Sequence, residues 1–98
     1  MSLPEDLESA GFRLVGGRAD YVEGRRTAVT VYRVGEHVVN VFVWRDEARL
    51  KSGVHALGGY NLLSWRRHGL FFCAVSDADR NVLARLSELL EKADWGEG

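Results

Sequence analysis

Thr27-Ala28-Val29-Thr30-Val31-Tyr32-Arg33-Val34, then Gly35-Glu36, then His37-Val38-Val39-Asn40-Val41-Phe42-Val43-Trp44, is the stretch that decides the fold. Its first half is rich in β-branched residues, which favour extended backbone. Gly35-Glu36 is a two-residue hairpin signal. Two strands therefore fold back on each other here. The second is apolar on both sides of its pleat, with Val39, Val41 and Val43 on one face and Val38, Phe42 and Trp44 on the other.

Outward from this hairpin the chain predicts more strands. Phe12–Val22 reads as a strand bent near Gly16-Gly17, where a bulge is natural, and Glu23-Gly24-Arg25-Arg26 as a turn. Arg45–Gly59 is a polar connection of unassigned shape. Tyr60–Arg66 and Leu70–Ser76 form a second hairpin across Arg67-His68-Gly69. At the front, Pro4–Gly11 reads as a short helix with proline at its start, acids in its first turn and glycine at its end. At the back, Val82, Leu83, Leu86, Leu89, Leu90 and Ala93 recur at the spacing of one buried helical stripe. That helix runs from Asp77 to about Ala93, capped by Ser76 or Asp77, with Asp79 favourable to its dipole. Arg80, Arg85, Glu88, Glu91 and Lys92 fall on its wet face. The expected fold class is α+β: an antiparallel sheet of about five strands, with a short N-terminal and a long C-terminal helix packed on one face.

The chain of 98 residues and 11.0 kDa holds one domain, expected over residues 4–95, with residues 1–3 and 97–98 reading as vector-derived ends. Thirteen Lys+Arg against 14 Asp+Glu give a formal net charge of -1, which argues against a nucleic-acid partner or a polybasic membrane surface. The single cysteine, Cys73, excludes an intrachain disulfide and a thiolate zinc site. No apolar run reaches the roughly 18–20 residues of a membrane span.

The chemistry-bearing residues fit no catalytic or metal pattern. His37, His55 and His68 with Cys73 lack ligand spacing. Ser64, His68 and Asp77 lack a nucleophile elbow. Gly16-Gly17 and Gly58-Gly59 are pairs, not phosphate loops, and Arg25-Arg26 and Arg66-Arg67-His68 read as solvated turn charges, with anion contact the lesser alternative. Cys73, between Phe72 and Ala74, reads as a small buried hydrophobe. No catalytic residue, cofactor or metal is therefore expected. The informative residues are Asn40, Phe42, Trp44, Tyr60, Asn61 and Trp65, as interface or fold determinants. Five strands span roughly 24 Å, whereas a helix is about 10–12 Å across. Either the sheet curls, or the short helix covers the remainder, or the second face meets a protein partner or another copy of the chain.

Three ordered stretches carry a resemblance. Val31-Tyr32-Arg33 with His37–Trp44 resembles a recurring stretch of bacterial transmembrane anti-sigma factors. Gly59-Tyr60-Asn61-Leu62-Leu63 with Trp65, Gly69 and Ala74-Val75-Ser76-Asp77 resembles a second, and Leu7–Gly17 the lead-in. Together they cover most of residues 7–93. Arg66-Arg67-His68 and Cys73 depart from the pattern. The resemblance implies a cytoplasmic domain that holds a sigma factor, one membrane helix, and an extracytoplasmic C-terminal domain, of which this chain looks like the last. It lacks the His-x-x-x-Cys-x-x-Cys zinc motif of the cytoplasmic part, so sigma contact is implied only through a domain outside this chain. The implied place is the periplasmic side of the inner membrane, in a single-pass protein. The implied role is sensory and regulatory, in control of transcription, and non-enzymatic. Competing readings are a structural dimerisation module (a homodimer without a ligand of its own) and a small-molecule binding domain.

Overall fold

The computed structural model describes residues 6–22, 24–45 and 52–91. Their order is α1 (Asp6–Ser9), β1 (Arg13–Val22), β2 (Arg25–Val34), β3 (His37–Arg45), β4 (Gly53–Leu57), β5 (Tyr60–Arg67), β6 (Leu70–Ser76) and α2 (Arg80–Glu91). All strands join one antiparallel sheet in the order β1-β2-β3-β6-β5-β4. The expected α+β class holds. The sheet has six strands where about five were expected, because Gly53–Leu57, within the connection left unassigned, pairs with β5 as an edge strand.

The hairpins are tighter than the sequence implied. Arg25 and Arg26 belong to β2, and Val22 faces Arg25 directly. Arg67 faces Leu70, leaving only His68 and Gly69 in the turn, at φ 52° and 76°. Gly58 and Gly59 likewise adopt φ 57° and 86° between the paired Leu57 and Tyr60. Two consecutive left-handed residues are what a two-residue hairpin matched to strand twist requires. The bend in β1 is a bulge: the register slips between Leu14 and Gly16, leaving Val15 without a partner across the strand.

Residues directly opposite each other in an antiparallel sheet share a face. The register therefore puts Tyr32, Val39, Val41, Val43, Phe72, Ala74 and Trp65 on one face. There they join Leu83, Leu86, Leu89 and Leu90 of α2 in a single core. Leu7 and Phe12 enter the same cluster. Both helices thus lie on one face, and the short helix does not extend cover to the other. Val82 is half-buried and packs against the core, while Arg80, Arg85 and Glu88 are exposed and Glu91 is half-buried. Lys92 and Ala93 lie outside the described residues.

The helix begins three residues after Asp77. Asp79, not Ser76 or Asp77, is its cap: its Oδ1 accepts a hydrogen bond from the Asn81 N–H at 2.8 Å. The other two residues are committed elsewhere. Ser76 Oγ donates to the Val38 carbonyl (2.8 Å) and accepts from the Ala78 N–H (3.0 Å), tying β6 to β3. Asp77 meets His37 Nδ1 at 3.0 Å.

Candidate interaction surface

The face away from the helices carries Thr27, Val29 and Val31 of β2, Val38, Asn40, Phe42 and Trp44 of β3, Phe71, Cys73 and Val75 of β6, and Leu62, Ser64 and Arg66 of β5. The chain dresses part of it with its own arginines. The Arg25 guanidinium lies 6.0 Å from the Trp44 ring centroid, and that of Arg66 lies 5.1 Å from Phe71. Trp44 and Phe71 pack against each other at 5.3 Å. Long arginine stems shield apolar surface while their heads stay wet. Phe71 is accordingly buried, and Thr27 and Val29 are buried too, whereas Val31, Asn40, Phe42, Trp44, Cys73, Val75 and Leu62 stay half-exposed. The Trp44 Nε1–H is buried with no hydrogen-bond acceptor.

The six residues singled out from the sequence divide. Asn40, Phe42 and Trp44 lie on this face. Tyr60 is 53% exposed at the β4–β5 turn. Asn61 is a fold determinant: its Nδ2 donates to the Ala78 carbonyl at 2.9 Å and pins β5 to the link into α2. Trp65 is buried on the helix side, stacked on Phe72 with centroids 5.1 Å apart and planes 4° from parallel. A shallow cavity of about 270 Å³ joins Asn40, Val38 and Tyr60 to the carboxylates of Glu36 and Asp77. It offers hydrogen-bonding and apolar contact at the end of the sheet.

Ser64, His68 and Asp77 do not converge. His68 and Asp77 flank opposite ends of the seven-residue β6, which alone is roughly 20 Å long at the rise of a strand. Ser64 instead faces Cys73 across β5 and β6. Among the described residues no three His, Cys, Asp or Glu side chains come together in a metal-binding group. The side chain of His55 lies outside them. No helix of the described residues is long and apolar enough to cross a membrane.

Burial pushes the Cys73 thiol above its ordinary 9.0, and the hydrogen bond from Ser64 offsets only part of that. Tyr32, fully buried, is likewise raised above 10.0 by burial. Thr30 Oγ1 opposes the shift at Tyr32 weakly, and neither hydroxyl makes a well-formed hydrogen bond. Both groups are held neutral by folding. In the alkaline window the unfolded chain releases protons that the folded chain retains, so stability falls with rising pH. Cys73 is expected to react slowly with a thiol reagent at pH 7 and progressively faster above about pH 9, with the melting temperature falling over the same range. Rapid stoichiometric labelling at pH 7 contradicts this.

Sequence reasoning overlooked β1 as a surface. Leu14, Val15 and Tyr21 are exposed there, Tyr21 by 71%. The alternation Arg18-Ala19-Asp20-Tyr21 was the available signal, since neither of its faces is apolar enough for a central strand. No protein-family profile matches the chain, and no curated protein matches it.

Proposed function

We propose that this chain is the extracytoplasmic regulatory domain of a bacterial single-pass anti-sigma factor, non-enzymatic and lying on the periplasmic side of the inner membrane. The observation that carries the reading is the three ordered stretches, Leu7–Gly17, Val31–Trp44 and Gly59–Asp77, that resemble this family. They fall on α1 with β1, on the β2–β3 hairpin, and on β5 with β6. The half-exposed aromatic and apolar face around Phe42 and Trp44 suits a protein partner better than a small substrate. Sigma contact belongs to a cytoplasmic domain outside this chain. Regulation works by population shift: a partner or signal that prefers one arrangement of this domain biases the attached membrane helix, and so sigma release.

The test is the coding sequence upstream of Pro4. The proposal expects an apolar span of about 20 residues, preceded by a small helical domain. A start codon at this point, or a different class of domain upstream, overturns it.

A further inference from the structure

We propose that the outer edge of β1 binds a second copy of this chain, the two β1 strands pairing antiparallel about Ala19 and joining two six-stranded sheets into one. The inference is independent of the anti-sigma reading and concerns this chain alone.

Among the described residues β1 pairs only with β2, so its other side is an edge. The phase of the hairpin decides which backbone groups face outward. Val22 and Arg25 close a two-residue turn, and such a closing pair exchanges hydrogen bonds. Val22, Asp20 and Arg18 therefore turn their N–H and C=O groups toward β2, and Tyr21, Ala19 and Gly17 turn theirs out. The Tyr21 N–H agrees: it donates to the carboxylate of its neighbour Asp20 at 2.8 Å, not to β2. A partner strand thus finds outward amides and carbonyls at Gly17 and Ala19, and at Tyr21 once its N–H exchanges the Asp20 carboxylate for the Gly17 carbonyl of the second copy, beyond the bulge at Val15.

The side chains then select the occupant. Two copies related by a two-fold axis through the sheet must centre on a residue that faces its own copy. Centred on Arg18, the pairing sets Arg18 against Arg18; centred on Asp20, it sets Asp20 against Asp20. Centred on Gly17, it places Leu14 against Asp20 and Gly16 against Arg18. Centred on Ala19, it sets Arg18 opposite Asp20 of the second copy, twice by symmetry, and Gly17 opposite Tyr21. Opposite charges facing across strands stabilise pairing, and like charges oppose it. Arg18 and Asp20 already share a face, with Nε and Oδ2 3.5 Å apart and both side chains about half exposed, so each is free to exchange its partner for the equivalent one. They also fall in the non-hydrogen-bonded pairs of the new ladder, where facing side chains approach most closely. Tyr21, the most exposed large apolar side chain among the described residues, covers the bare backbone at Gly17 of the second copy, an aromatic–glycine complement that edge strands use. Ala19 at the axis leaves the strands room to meet.

The test is sedimentation velocity of the 98-residue chain across concentration, with thermal melts confirming that each variant folds. The wild type is expected to be a dimer that dissociates on dilution. Arg18→Asp and Asp20→Arg are each expected to be monomeric where the wild type is dimeric. The double variant R18D/D20R is expected to dimerise again, and so is an equimolar mixture of the two single variants. A wild type monomeric at every concentration overturns the proposal. A dimer indifferent to either single reversal, or one that the double variant fails to restore, overturns it equally.

Discussion

Phe72→Ala is expected to destabilise the domain by about 3–5 kcal/mol, the range for emptying a buried phenylalanine site. Phe72 is 1% exposed and sits mid-sheet, opposite Val43 on β3 and Trp65 on β5. Its truncation removes the ring on which Trp65 stacks and opens a void that two flanking strands, held by their own ladders, cannot close. A domain of this size has a total stability of about 5–15 kcal/mol, so the loss takes a large part of it. Urea unfolding of the purified variant measures the change. A loss below about 1 kcal/mol means that the ring is not packed as described.

Leu86→Ala is expected to have the next largest effect, a loss of about 2–5 kcal/mol. Leu86 is fully buried at the middle of α2, between Leu83 and the Leu89-Leu90 pair. A helix of 12 residues is too short to persist alone in water, so its stability comes from docking this stripe. The same change at Arg85, which is exposed and only loosely paired to Glu88 at 3.6 Å, is expected to move stability by less than about 0.5 kcal/mol. Thermal melts of the two variants side by side check the contrast. Equal effects at positions 85 and 86 contradict the assigned face.

Phe72 was not legible before the structure, since Leu70–Ser76 is apolar on both sides of its pleat and only register places that ring on the helix side. Leu86 was, because a local pattern, the helical stripe, marks it. The β2–β3 hairpin was legible for the same reason, with a glycine turn between two β-branched runs. What stayed hidden depended on longer-range choices. Gly53–Leu57 is a short strand with a glycine and a histidine, and it forms only because β5 offers it an edge. Local reading misplaces the helix cap at Ser76 or Asp77, with Asp79 only favourable to the dipole; contacts from Val38 and His37, distant in sequence, occupy the first two and leave the cap to Asp79. Trp44 and Trp65 are both strand tryptophans to the eye. Their different fates follow from register, which sets Trp65 against Phe72 on the helix side and Trp44 against Phe71 on the other. Strand order is equally invisible locally. That β1 ends the sheet, and so exposes Tyr21 and the amides beside it, emerges only when β3 pairs with β6.

An edge that joins two copies bears on the regulatory reading. Two domains paired through β1 would fix the spacing of the segments attached to them, and a partner seated near Phe42 and Trp44 could favour or oppose that pairing. Such a partner shifts the balance only by its difference in affinity for the two states.

The most direct test of the regulatory role is a sigma-dependent transcription reporter in cells carrying the parent protein with and without residues 4–95, under envelope stress and at rest. The account predicts that the deleted form still binds its sigma factor through the cytoplasmic part but loses the change in reporter output on stress. An unaltered response after deletion would contradict it.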